Sequence, residues 1–302
     1  MRIVFMGTPD FAEKCLAALY DSGEEIAAVF TQPDKPKNRG MKLAVSPVKQ
    51  LALEHGTPVY QPQTLRSADT TKLISDLSPE LICVVAYGKL LPPEILNIPP
   101  LGCVNIHGSL LPKYRGSAPI QWTVLNGDPI AGVTAMYMAE GMDTGDIISS
   151  RSIPVGEYET SGELFDRLAD LGAELLVDTV SAIASGNAER VPQDETAASY
   201  APQLTKAICP IDWGKTPREI VNHIRGLVPW PVATASISGT EFKVYSAVES
   251  DNKGIPGTVL SAGKDGIEIA CKDGSVVIKE LQAAGGKRMS AADYLRGHPI
   301  DI

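Results

Sequence analysis

Along the first 150 residues, short apolar runs alternate with stretches of helical period. Arg2–Gly7 is apolar after its first residue, as a strand covered on both faces must be. Asp10–Tyr20 follows, with Phe11, Cys15, Leu16 and Leu19 on one face of a helix. Ile26–Thr31 reads as the next strand. Ser46 then stands before Pro47, an N-cap followed by proline at the first helical position, and opens a helix to about Glu54. Val59–Gln61, a helix over Asp69–Leu77, and strands at Leu81–Ala86, Val104–His107 and Val133–Met138 continue the series. Continuous apolar strands separated by helices predict a doubly wound α/β domain, Rossmann-like, around a mostly parallel sheet.

A helix over Ser161–Ser185, with Leu164, Leu168, Leu171, Leu175 and Val180 at helical spacing, closes this domain. Gly186–Tyr200 is polar and without period, which predicts a linker. The texture then changes. One helix, Pro217–Leu227, precedes short β runs at Thr234–Ser238, Phe242–Ala247, Gly257–Ser261, Ile267–Ala270 and Ser275–Leu281, with Gly, Asp and Asn between them. Close strand spacing with turn signals predicts a small, OB-like C-terminal β-barrel. The expected division is therefore a first domain over 1–186, a linker over 187–203 and a second domain over 204–302.

Composition narrows the function classes. In 302 residues, 44% are hydrophobic and 21% charged, which excludes a disordered chain. No apolar run approaches the ~20 residues a membrane helix needs, and the N-terminus enters a strand without a signal or transit pattern. The five cysteines lack any CxxC spacing and sit among apolar neighbours. They are expected to be buried free thiols in a reducing cytoplasm, not a disulfide frame or a metal site. Nothing demands more than a monomer. The net charge is −9, made up of −8 over 1–186, −2 over 187–203 and +1 over 204–302. A polyanionic partner would have to be met by a local basic patch, and nothing suggests a DNA-coating protein.

The first strand ends in Gly7-Thr8-Pro9-Asp10, not in the glycine pattern that lets a backbone approach a pyrophosphate, so NAD is not expected. The densest chemistry is Asn105-Ile106-His107-Gly108-Ser109-Leu110-Leu111-Pro112. Asn105 and His107 are two apart on a strand and share a face at its carboxyl end, where open α/β sheets place ligands. Gly141-Met142-Asp143-Thr144-Gly145-Asp146 follows a later strand, and Asp143 is a candidate partner that orients His107 or favours its charged form. Each residue alone has a structural reading, a core histidine or turn chemistry; together they point to a site of proton movement. Pro33–Lys42 is a second feature, carrying Lys35, Lys37, Arg39 and Lys42. It is either a solvated loop or an arm that meets phosphates.

These motifs resemble those of the methionyl-tRNA formyltransferases, within the wider folate-dependent formyltransferases, over essentially the whole chain. The matching stretches are Met6–Ala12, Thr31–Asp34, Val85–Gly88, Asn105–Pro112, Tyr114–Gly116 and Met142–Asp146. The resemblance implies transfer of a formyl group from 10-formyltetrahydrofolate to the α-amine of methionine on initiator tRNA. It implies Asn105, His107 and Asp143 as the catalytic residues. By the same resemblance, Ser109, Leu110, Leu111 and Pro112 contact the folate, and Val85, Ala86, Tyr87, Gly88, Gly141 and Met142 wall its pterin. Lys35, Lys37, Arg39 and Lys42 would grip the tRNA, with Lys206 and other basic residues of the second domain (Arg218, Lys243, Lys287, Arg288) adding contacts. The catalytic triplet alone would serve a formyltransferase acting on a small amine such as a sugar nucleotide. The basic arm and the second domain are what favour tRNA.

Overall fold

Seven strands form the first sheet in the computed structural model, which describes residues 1–37 and 42–300. In chain order they are β1 (Arg2–Gly7), β2 (Glu25–Phe30), β3 (Val59–Tyr60), β4 (Leu81–Val85), β5 (Cys103–His107), β6 (Ile130–Tyr137) and β7 (Ile147–Pro154). The order across the sheet is β7-β6-β5-β4-β1-β2-β3. β5, β4, β1, β2 and β3 run parallel. β6 returns antiparallel, placing Thr134 beside His107 and Tyr137 beside Val104. Helices α1 (Asp10–Asp21), α2 (Pro47–Glu54) and α3 (Ala68–Asp76) connect the parallel strands. α2 starts as its sequence requires, with the Ser46 hydroxyl accepting from the Lys49 N–H and Pro47 at the first position. On one face of the sheet Val4, Met6, Ala28, Phe30, Ile82 and Val84 join Ile74, Tyr87 and Ile95 in one buried cluster.

The second sheet has the order β8 (Ala233–Ile237), β9 (Thr240–Ser250), β12 (Gly274–Ala283), β11 (Gly266–Cys271), β10 (Val259–Gly263), all pairs antiparallel. A short strand, Met289–Ser290, adds to β12. The core of this unit sets Phe242, Val244, Ile267, Ile269, Ile278 and Leu281 against Ile220, Val221 and Ile224 of helix α6 (Pro217–Gly226). Thr216 and Glu219 form a reciprocal capping box at the start of α6.

The units are interleaved along the chain. One comprises Met1–Gly116, Ala131–Ile153 and Phe165–Tyr200; the other takes Ser117–Ile130, Pro154–Leu164 and Ala201–Ile302. The linear division at 186 and 204 differs from this because two early segments carry partners for the late one. Helix α4 (Pro119–Leu125) lays Leu125 against α6, where a Cβ on Gly226 would come within 2.7 Å of it. The Trp122 indole donates to the Pro202 carbonyl at 2.8 Å. Arg225 donates to the carbonyls of Gly156 and Glu159, each at 3.0 Å. Residues up to Tyr200, read from sequence as a linker, belong to the first unit.

All five cysteines are buried and unpaired. Burial pushes the Cys103 thiol up to about 12, and carries those of Cys15 and Cys83 well above the usual thiol range. The thiolate is the reactive form, so native protein at pH 8 is expected to release almost no thionitrobenzoate on mixing with Ellman's reagent. Protein in guanidinium should release the full five equivalents. Rapid stoichiometric labelling of the native form would contradict this packing. Among the described residues, no helix is long and apolar enough to cross a membrane, and no group of three or more His, Cys, Asp or Glu could hold a metal ion.

Candidate active site

Strands β1, β4 and β5 run in one direction, and the order of the sheet reverses at β1. Ligands of open α/β sheets lie outside such carboxyl ends, at the reversal. The segments that leave these ends are tied together. The Tyr87 carbonyl accepts from the Gln32 amide at 2.9 Å and from the Thr8 hydroxyl at 3.4 Å. Val85 and Tyr87 are buried, whereas Ala86 and Gly88 are exposed and hold positive φ, 44° and 79°. The Tyr87 hydroxyl is buried with no hydrogen-bond partner among the described residues. Asp34 accepts from Lys49 at 2.5 Å and from Gln61 at 2.8 Å. The Lys49 ammonium and the Gln61 amide hold the Asp34 carboxyl below the usual carboxylate range. Lys49 is therefore committed to an ion pair within the fold.

His107 ends β5 at 6% exposure, while Asn105 on the same strand face is partly exposed. The His107 Nε2 lies 2.9 Å from the Tyr114 carbonyl, which only accepts, so Nε2 carries a hydrogen. The remaining ring nitrogen, Nδ1, faces Asp143 Oδ2 at 3.6 Å. That carboxylate oxygen also accepts from the Gly116 backbone N–H at 2.8 Å. The neutral ring thus has its free lone pair, and the charged ring its second proton, on the side of the carboxylate.

Strand adjacency alone does not bring Asp143 to His107. Because β6 runs antiparallel, its carboxyl end lies by the start of β5, where the Met138 N–H donates to the Cys103 carbonyl. His107 and Asp143 follow the ends of successive strands, as read from sequence, but those ends lie at opposite edges of the sheet, and the loop 138–146 doubles back from the far end to reach the histidine. Gly145 permits this. A Cβ there would sit 1.7 Å from the Tyr137 carbonyl oxygen. Asp143 itself holds φ of 55°, a left-handed conformation that costs a non-glycine residue energy.

The Ser-Leu-Leu-Pro turn is anchored by Thr134, a fully buried residue of β6. Its hydroxyl donates to the Ser109 carbonyl at 2.6 Å and accepts from the Leu111 N–H at 3.1 Å. The Ser109 hydroxyl donates to the Lys113 carbonyl at 2.6 Å, so it is engaged in the turn. Leu111 is buried, and Leu110 and Pro112 are partly exposed. Gly132 makes room for Leu110, whose Cδ2 would lie 2.5 Å from a Cβ at that position.

A pocket beside Asp143 is lined by Leu90, Leu91, Met136, Met138 and the loop residues Ala139, Gly141, Met142 and Thr144. Of the residues that sequence set around the pterin, it gathers Gly141 and Met142 beside Asp143 and none of Val85–Gly88, and it takes in Leu90, Leu91, Met136, Met138 and Ala139, which sequence reasoning missed. The signals were present, since Leu90-Leu91 follows Val85–Gly88 and Met136 and Met138 are two apart on one strand line. Lys35, Lys37 and Lys42 lie in a hairpin that pairs Lys35–Lys37 with Lys42–Ala44. Arg39 lies outside the described residues. Lys206, Lys243 and Lys287 are exposed in the second unit. Arg218 pairs with Glu157 and Glu249, and Arg288 with Glu280, which offsets their charge.

Two family models match the chain, "Formyl transferase" over residues 1–180 and "Formyl transferase, C-terminal domain" over 203–299. The methionyl-tRNA formyltransferase of Trichlorobacter lovleyi is 48% identical over 301 residues, spanning 100% of this chain and 95% of the relative. That of Pelobacter propionicus is 49% identical, spanning 99% and 93%. The chain belongs to the methionyl-tRNA formyltransferase family. Among solved structures, this formyltransferase is similar to an N-formyltransferase from Helicobacter canadensis, solved with folinic acid and dTDP-3-aminofucose. The TM-score is 0.69 at 18% identity, covering 95% of this chain and 99% of that one. It also resembles HypX from Aquifex aeolicus with tetrahydrofolic acid, with a TM-score of 0.66 and 18% identity, covering 98% of this formyltransferase and 47% of HypX. At these identities the likeness is one of fold.

Proposed function

We propose that this enzyme moves the formyl group of 10-formyltetrahydrofolate onto the α-amine of initiator Met-tRNA, with Asn105, His107 and Asp143 as its catalytic residues. The observation that carries the assignment is the His107–Asp143 pair beside an apolar pocket. A flat heterocycle suits such a wall, with Leu90, Leu91, Met136 and Met138 added to the pterin-contacting residues expected from sequence. The neutral amine attacks the formyl carbon, forming a C–N bond and an oxyanion. The Asn105 amide and the charged His107 ring stabilise that oxyanion. The ammonium proton passes to the Asp143 carboxylate, directly or through one water, and on to the folate nitrogen as its bond to the formyl carbon breaks. Formyl-methionine and a protonated folate nitrogen account for every atom. No metal and no nicotinamide enters this scheme, and we place the enzyme in the cytoplasm as a monomer.

Lys35, Lys37, Arg39, Lys42 and Lys206 are proposed to meet the tRNA backbone, with Arg39 foremost. The testing experiment is formylation of charged initiator and elongator Met-tRNA in parallel, with 10-formyltetrahydrofolate as donor. Rapid transfer to the initiator alone is expected, and Arg39→Ala should raise KM for tRNA while leaving folate binding intact. Transfer to neither tRNA by protein that still binds folate would overturn the tRNA assignment. Equal loss of tRNA and folate affinity in Arg39→Ala would overturn its role.

A further inference from the structure

The polar stretch after the long helix α5 (Ser161–Ala184) holds one side chain whose every hydrogen-bonding atom is aimed at the Asp143 loop or at what supports it. The Gln193 amide nitrogen donates to the Asp143 carbonyl at 2.9 Å and to the Gly145 carbonyl at 2.8 Å. Its oxygen accepts from Arg115 Nη2 at 2.8 Å and from Nε at 3.1 Å. The amide orientation is fixed by chemistry: a guanidinium only donates and carbonyls only accept, so the reversed amide would meet four like partners. Arg115 is 1% exposed and is clamped in turn by both oxygens of Glu195, at 2.9 and 2.8 Å. The Arg115 backbone N–H donates to the Ser199 carbonyl at 2.8 Å. Its neighbour Gly116 supplies the N–H that holds the Asp143 carboxylate at 2.8 Å.

We propose that Gln193, backed by Arg115 and Glu195, is a positioning residue that fixes Asp143 against His107. The inference rests on the catalytic reading of Asp143 given above. The loop needs such a clamp, because it doubles back along the sheet with a non-glycine residue at positive φ. Gln193 grips the carbonyls on both sides of Thr144, while Gly116 grips the carboxylate. Main chain and side chain of Asp143 are therefore held from one support, Arg115 and its neighbour. A displacement of the order of 1 Å at a catalytic group costs about 10²-fold in rate.

The test measures kcat, KM for folate and Tm for Gln193→Ala, Gln193→Glu, Asp143→Asn and the double variant Asp143→Asn/Gln193→Ala. Gln193→Glu keeps the size of the side chain and its pairing with Arg115, but sets a carboxylate oxygen against two carbonyls. Both Gln193 variants are expected to lose about 10²-fold in kcat with KM for folate nearly unchanged, the Glu variant at least as severely as the Ala variant. The double variant should be no slower than Asp143→Asn alone. Near-normal kcat in Gln193→Glu would show that the side chain only fills space and would overturn the proposal. So would losses that multiply in the double variant. Near-normal kcat in Asp143→Asn would remove the catalytic reading first and this inference with it. A crippled Asp143→Asn beside an unaffected Gln193→Ala would sink this inference alone.

Discussion

His107→Ala is expected to lower kcat by about 10²–10³-fold, the usual contribution of one group that stabilises an oxyanion, while the protein stays folded. At 1.36 kcal/mol per decade this is about 3–4 kcal/mol of transition-state stabilisation. The folded state loses less. The ring's one structural bond runs from Nε2 to the Tyr114 carbonyl, and a lost hydrogen bond of this kind costs about 1 kcal/mol. Asp143→Asn separates charge from geometry more cleanly. The asparagine oxygen can still accept from the Gly116 N–H, so the loop keeps its support and loses only its negative charge. Single-turnover formylation of initiator Met-tRNA, with circular dichroism melts of both variants, checks the split. Turnover near that of the unaltered enzyme in either variant, or a collapse of the melt matching the loss of rate, would refute the assigned roles.

Gly145→Ala should have the second-largest effect, and on both observables together. The added methyl would fall 1.7 Å from the Tyr137 carbonyl oxygen and 2.8 Å from its carbon. Neither is the end of a flexible side chain, so the backbone must part. The first bond to go is the one from the Tyr137 N–H to the Asp146 carbonyl at 2.9 Å, which closes the loop carrying Asp143. Overpacking of this severity costs about 3 kcal/mol, which lowers Tm by about 6–12 °C in a protein of this class. The rate should fall with it. Gly263→Ala provides the control, since a Cβ there meets nothing within 4 Å. A Gly145→Ala protein with the melt of that control would contradict the close approach described.

The parallel core was legible because its signal is local. β1 and β4 are unbroken apolar runs, and the Ser46-Pro47 start of α2 names its own first turn. The linear spacing of Asn105 and His107 likewise fixed their common face. What escaped is non-local. The direction of β6 is invisible in its composition, because an apolar strand reads the same in either sense, and so the path of the Asp143 loop could not be foreseen. β7 is largely exposed and carries no buried apolar run, α4 is a helix of seven residues, and neither stood out from its surroundings. Gln193 and Glu195 sit in a polar, aperiodic stretch whose partner Arg115 lies 78 and 80 residues earlier. Nothing near them in the chain marks them as more than solvated. The basic stretch read from sequence as a solvated loop or an arm that meets phosphates; the pairing of Lys35–Lys37 with Lys42–Ala44 gives its described ends a fixed register.

The interleaving of the two units has a consequence for synthesis on the ribosome. Ala118, Trp122 and Leu125, in and just before α4, belong to the core of the second unit, yet the residues they pack with, Gly226 among them, arrive about a hundred positions later. At roughly 5–20 residues per second, the nascent chain carries that helix for roughly 5–20 s before its partner leaves the exit tunnel. The apolar side chains of α4 that this partner covers therefore spend this interval without it. Slow translation between Leu125 and Gly226 would lengthen the exposure, making this stretch the most dependent on chaperone protection during the birth of the protein.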